Sequence, residues 1–157
     1  MAQRFKVSDF RNTALRYGTD SDGTAWITDG HWMLPADSDS RFKSVDTIQA
    51  AFGVEVQPIP AGSLDSVSRV KTGHTFVRSD VLVDVGEKII ARLYASEAGP
   101  LVAVNVNYLR MLGEPDILTS DSDFGPFHCP AGVVMPLRVD LPSWIHNPKP
   151  VPTAQTA

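Results

Sequence analysis

The sequence predicts a mixed α+β fold with mostly antiparallel sheets and two short helices on one side. Three observations lead to this prediction. Apolar and polar residues alternate over several short stretches, as they do in half-buried strands. Two other stretches have apolar residues at helical spacing, and Gly, Pro, Asp and Ser separate all of them at short intervals. The order strand, helix, strands occurs twice around an irregular middle, which is typical of α+β domains.

Length and composition fit one globular domain with a short tail. The chain has 157 residues, of which 43% are hydrophobic and 20% charged, and domains of about 100 to 200 residues are usual. We therefore expect a single domain over residues 1–141. Four prolines, at positions 142, 148, 150 and 152, follow it. Residues 142–157 are predicted to be extended and largely disordered, as a tether or a recognition segment.

The first half of the chain predicts two helices among short strands. Phe5–Val7 alternates like a strand, and Ser8 is a good N-cap for a helix that Gly18 would end. That helix would carry Phe10, Ala14 and Tyr17 on its apolar stripe and expose its basic residues. Residues 24–34 predict strands around an Asp29-Gly30 turn. A second stretch, from Ser44 to Gly53, has helical spacing, and Pro58, Pro60 and Gly62 are expected to break any regular element after it.

The second half predicts a hairpin, a short helix and further strands. Strands are expected over 76–85 and 89–95, joined by a Gly86-Glu87-Lys88 turn. A strand over 101–104 leads to a short helix with Asn105 as its cap and Gly113 as its stop. Later strands are expected at 117–118, at Phe127 and over 133–139.

The familiar sequence patterns of catalysis and of metal binding are absent. No glycine-rich phosphate loop is present. Asp20-Ser21-Asp22-Gly23 matches half of a calcium loop, but His31 stands where a bidentate Glu is needed. No two histidines are four residues apart, and His128-Cys129 would point to opposite faces of a strand. We therefore expect no metal, no cofactor and no enzymatic activity.

The charge distribution leaves room for one basic surface. The chain has 14 basic and 18 acidic residues, a net charge of −4, which disfavours a generally basic nucleic-acid binder. Residues 1–17 nevertheless hold four basic residues and one acidic residue, and such a surface could meet phosphates. The alternative is that these are ordinary solvated charges. No apolar run approaches the ~20 residues of a membrane span, and a lone cysteine fits a reducing cytoplasm.

Four segments, in order, resemble the bacterial β-type DNA sliding clamp, the beta subunit of DNA polymerase III. Residues 27–33, I-T-D-G-H-W-M, resemble the T-D-G-H-R-L segment of that family. Residues 104–112, V-N-V-N-Y-L-R-M-L, are similar to its F-N-x-x-Y-L-x-x-x-L segment. Residues 133–139, V-V-M-P-L-R-V, resemble its V-M-P-M-R-L ending, and the opening F-K-V-S resembles the start of a clamp domain. An unrelated α+β domain with chance matches remains the alternative.

The resemblance implies a non-catalytic protein that encircles duplex DNA and recruits partners. In this family repeated domains form a ring, helices line its hole, and a cleft receives short linear motifs of polymerases and other DNA-processing proteins. Carried over, the residues facing DNA phosphates would be Arg4, Lys6, Arg11, Arg16 and Arg110. The cleft would use Thr28, Gly30, His31, Trp32 and Met33 from one segment and Val133, Met135, Pro136, Leu137 and Arg138 from the other. These apolar positions equally fit the inward face of a core strand.

The chain departs from the family in ways that leave several functions open. It has room for one domain, so a closed ring would need about six copies joined head to tail. Trp32 replaces a basic residue and Leu137 replaces a Met. One alternative is a monomeric or dimeric clamp-fold protein, of phage or mobile-element type, that binds or decoys clamp partners. Another is a small hydrolase or ligand-binding domain with His128 or His31 as its reactive group.

Overall fold

The computed structural model describes residues 5–10, 14–96, 99 and 101–137. It is a mixed α+β structure whose strands are mostly antiparallel, which confirms the predicted fold class. The chain divides into two compact units. The first consists of residues 1–69 with 130–133, and the second of residues 70–129 with 134–157. The predicted tail, residues 142–157, lies outside the described residues.

The described residues form ten strands and three α-helices. The strands are β1 (Leu15–Thr19), β2 (Ala25–Thr28), β3 (Trp32–Pro35), β4 (Val56–Pro58), β5 (His74–Asp84), β6 (Ile90–Ser96), β7 (Leu101–Asn105), β8 (Ile117–Ser120), β9 (Phe127–Cys129) and β10 (Gly132–Val134). The helices are α1 (Val45–Phe52), α2 (Ala61–Ser68) and α3 (Val106–Met111).

The sheet of the first unit has the order β4-β1-β2-β3, and Gly132 and Val133 of β10 follow beside β3. β1, β2 and β3 are antiparallel neighbours, whereas β4 runs parallel to β1 with Leu15 opposite Val56. The β2–β3 hairpin turns at Asp29-Gly30, where Gly30 has a φ of 95°. That turn confirms the prediction for residues 24–34.

The predicted basic helix over residues 8–18 is wrong. Residues 5–7 do not form the predicted strand, Val7–Phe10 forms one turn of 3-10 helix, and residues 15–19 form strand β1. Leu15 is buried opposite Val56, and Arg16 and Tyr17 pair with both β2 and β4, so sheet pairing outweighs the helical spacing. Gly18 does not end a helix. A Cβ at Gly18 would lie 2.4 Å from the Ile59 carbonyl oxygen, so the glycine permits a close approach of two backbones.

Helix α1 begins and ends where the sequence predicts. The Ser44 side chain accepts a hydrogen bond from the Thr47 backbone N–H, and the Thr47 hydroxyl oxygen accepts one from the Ser44 N–H. This reciprocal arrangement is a capping box. Gly53 follows the helix with a φ of 66°, the left-handed conformation that favours glycine at this position.

Helix α2 contradicts the prediction that residues 58–62 break regular structure. Pro60 stands immediately before the helix, where its missing N–H costs nothing because the first N–H groups of a helix have no intrahelical partner. Leu64 is fully buried, and Val67 lies one turn later on the same side. The described residues form three α-helices, of which α2 is the one that the sequence did not predict.

The core of the first unit is a group of packed aromatic rings. Phe10 lies 4.5 Å from Phe52, 5.5 Å from Trp32 and 5.8 Å from Phe42, measured between ring centroids. Phe5 joins the group through Phe42, at 5.2 Å. Tilted and edge-on contacts of this kind add to the hydrophobic stabilisation of the buried rings. We call these five residues the aromatic group.

The sheet of the second unit has the order β9-β8-β5-β6-β7, and all of its pairs are antiparallel. The long β5–β6 hairpin contains a bulge between Arg78 and Leu82. Buried Ser79 supplies hydrogen bonds to backbone groups at the bulge. Its hydroxyl donates to the Leu93 carbonyl and accepts from the Val81 N–H. These strands confirm the predicted hairpin over residues 76–95.

Helix α3 follows β7 as predicted. The Asn105 side chain accepts a hydrogen bond from the Asn107 N–H at 2.9 Å and caps the helix. Within residues 133–137, the described part of the strand predicted over 133–139, β10 ends at Val134, and Pro136 has no N–H to donate to a ladder. Leu137 makes one isolated bridge to Ala103.

Candidate functional site

The first predicted cleft segment is a hairpin turn closed by its own side chains. The Thr28 hydroxyl donates to the Trp32 carbonyl at 2.6 Å and accepts from the Gly30 N–H. Asp29 accepts hydrogen bonds from the N–H groups of His31 and Trp32. Burial raises the pKa of Asp29, while these donors act to lower it. Thr28 is buried and Gly30 and His31 are exposed, so the polar part of the segment lies at the surface.

Trp32 and Met33 of the same segment are core residues. Their side chains are 2% and 3% exposed, and they alternate along β3 toward opposite faces. Trp32 packs edge-on against Phe10 in the aromatic group. Met33 packs with Leu64 and Val133 instead. Both positions therefore fit the alternative that these are core residues. Of the two, only Met33 contacts a residue of the second predicted cleft segment, Val133.

An apolar cluster brings the two predicted segments together within the first unit. Met33, Leu64 and Val133 are its buried members, and the half-buried side chains packed against them are Trp26, Ile59 and Val67. We call these six residues the Met33 cluster. Because half of its members retain exposed apolar surface, the cluster is the part of the predicted cleft where a ligand side chain could make contact.

Most of this cluster was missed from the sequence. Leu64 and Val67 belong to α2, where the nearby prolines led to a prediction of no regular structure. Their three-residue spacing and the Pro just before the helix were signals that could have indicated it. Ile59 is positioned by its N–H, which donates to the Tyr17 carbonyl at 3.1 Å. Trp26 is held by its indole N–H, which donates to Asp20 at 2.9 Å. No sequence pattern indicated either contact.

The rest of the second predicted segment lies in the second unit. Met135, Pro136 and Leu137 are half-buried. A Cβ at Gly125 would lie 2.9 Å from Pro136 Cδ and 3.5 Å from Met135 Sδ, so the turn before β9 packs closely on both residues. The Leu137 N–H donates to the Ala103 carbonyl at 2.7 Å. Arg138 lies outside the described residues.

The predicted DNA-facing cations that the structure describes, Lys6, Arg16 and Arg110, do not share a helix. Arg4 and Arg11 lie outside the described residues. Lys6 is exposed in the segment before the 3-10 turn, where its backbone N–H donates to Asp9. Arg16 is exposed on strand β1, and Arg110 is half-buried in the last turn of α3.

Other arginines hold the fold together. Arg41 makes an ion pair with Asp39 at 2.7 Å, donates to the Phe5 carbonyl and lies 4.7 Å above the Phe52 ring. In the second unit, Arg78 makes an ion pair with Asp116 at 2.8 Å. Arg41 and Arg78 are therefore paired with acidic residues within the fold.

The acidic loop after β1 is a turn whose Asp20 carboxylate is fully engaged in hydrogen bonds. Asp20 accepts from the N–H groups of Asp22 and Thr24 and from the Trp26 indole. The Trp26 hydrogen bond, followed by the backbone donors, lowers the pKa of Asp20 despite the opposing effect of burial. Ser21 is tied to Asp65 of α2 through its N–H and its hydroxyl. These contacts engage the side-chain oxygens of Asp20 and Ser21, two of the three residues that the calcium-loop comparison singled out.

The histidine that the hydrolase alternative named, His128, is buried. It is 4% exposed, its Nε2 has no hydrogen-bond partner, and burial lowers its pKa. Cys129 is half-buried on the same strand. Among residues 5–10, 14–96, 99 and 101–137, no three Asp, Glu, His or Cys side chains are grouped so that they could hold a metal ion.

One open depression in the first unit lies apart from the predicted site. It encloses about 640 Å³ and is lined by Tyr17, Gly23, Thr24, Ala25, Pro35, Ala36, Asp37, Asp39, Ser40 and Lys43. The Tyr17 hydroxyl donates to the Lys43 carbonyl across it. None of the predicted cleft residues takes part in its lining.

Comparison with protein-family models, curated proteins and solved structures finds no match for this chain. Within the part of the chain that the structure describes, no helix has the length and apolar character needed to cross a membrane.

Proposed function

We propose that this chain is a non-catalytic, sliding-clamp-like protein that assembles with itself on duplex DNA and recruits DNA-processing partners. One observation carries the proposal beyond the sequence resemblance. The hydrogen bond from Leu137 to Ala103 joins the M-P-L-R segment to the strand that leads into the V-N-V-N-Y-L segment. Two segments that lie far apart in the sequence and resemble the same family are therefore neighbours in the fold, and this adjacency supports the proposal.

The DNA contact in this proposal is loose and electrostatic. Of the described cations that the resemblance assigns to DNA, Lys6 and Arg16 are exposed, and Arg110 at the end of α3 is half-buried. Contacts of this type position a protein on DNA without reading sequence. They weaken as salt rises, because binding releases counterions from the duplex. A protein that encircles DNA and slides along it needs weak, sequence-independent contacts to phosphates such as these.

Native mass spectrometry and DNA retention test the ring. We expect a mass of several copies, and retention on nicked circular DNA that is lost when the circle is cut. Arg16→Glu should reduce retention several-fold, whereas Lys88→Glu, which reverses an exposed charge in the β5–β6 turn, should leave it unchanged. A single-copy mass together with equal retention on circular and linear DNA would contradict the proposal.

A second candidate function, a single-copy peptide-binding protein, is favoured by the Met33 cluster. Met33 and Val133 come from the two predicted cleft segments, and they pack together within one unit of one chain. An apolar cleft therefore does not require a second copy. A short peptide with apolar anchor residues suits such a surface, as in other groove-binding modes.

Half-buried Val67 offers the sharpest test of peptide binding, because a change there alters the rim of the cluster without opening its core. The probe is a fluorescent library of six-residue peptides, each with two apolar anchors. We expect Val67→Asp to weaken binding at least tenfold, and Val70→Asp, three residues later and 72% exposed, to leave it unchanged. Circular dichroism checks that both variants fold. Equal binding by the two variants would exclude the cluster as the docking surface.

A further inference from the structure

His128 lies inside the second unit with a ring nitrogen that has no partner. Its side chain is 4% exposed, and the buried Nε2 makes no hydrogen bond. The preceding residue, Phe127, is fully buried and packs on Phe76 at 5.0 Å. Because consecutive strand residues point to opposite faces, β9 is buried on both faces. The ring therefore has no direct route to water that would solvate a positive charge.

The position of His128 in the sheet links its charge to the pairing of β9. It lies opposite Thr119 of β8, which lies opposite Thr75 of β5. Thr119 with His128 is the register pair that joins β8 to β9. Side chains in one such row share a face of the sheet, so the threonines are its lateral neighbours, and neither makes a hydrogen bond to Nε2. A change in the charge of His128 therefore acts at the position where the short strand β9 pairs with β8.

Two charged groups face the ring from the neighbouring segments, and they act in opposite directions. Lys71, just before β5, disfavours a second positive charge, and Asp121, just after β8, favours one. Burial has a larger effect than either group, and the net result is that the pKa of His128 lies below its ordinary value of 6.5. The folded protein therefore holds this ring in its neutral form at neutral pH.

We propose that His128 is an acid-sensitive element, whose protonation releases β9 and the preceding turn from the sheet of the second unit. A buried imidazolium without an acceptor costs desolvation that the neutral ring does not. The turn it would release, residues 121–126, carries Phe124, which is 70% exposed. The same turn packs through Gly125 on Met135 and Pro136. The inference requires neither DNA nor a peptide partner, and it is independent of the proposed function.

The sign of the pH dependence follows from the lowered pKa. The unfolded chain binds a proton at His128 near pH 6.5, and the folded chain binds it only at lower pH. The stabilisation is complete above pH 6.5 and is lost as pH falls from there through the folded pKa. Within that window the ratio of closed to open molecules falls by about tenfold for each pH unit, since each unit is 1.36 kcal/mol.

Hydrogen exchange and NMR titration of the histidine rings test this inference. We expect the His128 ring to titrate below pH 6.5, and protection factors of the β9 amides to fall by up to about tenfold per pH unit below that value. His128→Phe should abolish the fall. His74→Gln is the matched control, because His74 is half-exposed in the same unit, 3.4 Å from Asp123, and it should retain the wild-type profile.

Two results would overturn the proposal. One is titration of the His128 ring at or above pH 6.5 in the folded protein. The other is an equal fall in β9 protection for His128→Phe and His74→Gln. If the phenylalanine variant does not fold, the ring titration of the wild-type protein decides by itself.

Discussion

The two units of the chain are stabilised in different ways. Strands β1 to β4 of the first unit have three to five residues, so its backbone ladders are short. The aromatic group and the loops tied by Asp20 and Asp39 supply much of its order. In the second unit β5 has 11 residues and β6 has seven, and the backbone hydrogen bonds of their long hairpin supply much of its order. Side-chain packing therefore dominates in one unit and strand pairing in the other.

Buried polar groups follow the same division. In the first unit, Thr28 finds its partners within its own turn, and Asp20 finds donors in its own turn, at Trp26 and at Ser68 of α2. In the second, Ser79 is satisfied across the bulge, but His128 keeps an unpaired nitrogen. The lowered pKa of Asp20 delays its protonation, so its stabilisation is present above pH 3.8 and is lost below it. His128 begins to lose its stabilisation near pH 6.5. As pH falls, the second unit therefore loses the stabilisation from its neutral histidine before the first unit loses that from its ionised aspartate.

Removing the central ring of the aromatic group should have the largest effect on stability. Phe10 is fully buried and contacts three other rings. We expect Phe10→Ala to lower the free energy of unfolding by about 3–5 kcal/mol, because it removes apolar contacts and leaves a cavity. Urea denaturation, followed by tryptophan fluorescence, measures the change.

The matched control is the same substitution on an exposed ring of the second unit. Phe124 is 70% exposed, and surface substitutions usually change stability by about 0.5 kcal/mol or less. Phe124→Ala should therefore leave the urea midpoint almost unchanged. Similar losses for Phe10→Ala and Phe124→Ala would contradict the view that packed rings hold the first unit together.

The sequence predicted local structure best where local features determine it. The caps at Ser44 and Asn105, and the Asp29-Gly30 turn, use side chains within a few residues of the backbone groups that they satisfy. The errors lie where distant partners decide. Residues 15–19 have a helical spacing of apolar residues, but pairing with β2 and β4 makes them a strand.

The candidate site shows the same limit. Both predicted segments contribute to the Met33 cluster, through Met33 and Val133. The burial of Trp32 depends on Phe10, which is distant in sequence. Leu64 and Val67 enter the cluster because α2 packs on strands whose positions no local pattern gives. The helix predicted around Arg16 was wrong for the same reason, since strand pairing decides the structure of residues 15–19.

A smaller and more specific test compares two glycines of the first unit. At Gly18 a Cβ would meet the Ile59 carbonyl oxygen at 2.4 Å, and that backbone is fixed by its hydrogen bond to Tyr17. Gly18→Ala should therefore lower the free energy of unfolding by about 1–3 kcal/mol through overpacking. Gly62 lies in α2 with no atom within 4 Å of an added Cβ, so Gly62→Ala should raise stability by up to about 1 kcal/mol through helix propensity. Opposite signs in urea denaturation would show that the approach of β1 to Ile59 is fixed. Equal signs would mean that this backbone contact yields easily and that its close packing does not constrain the first unit.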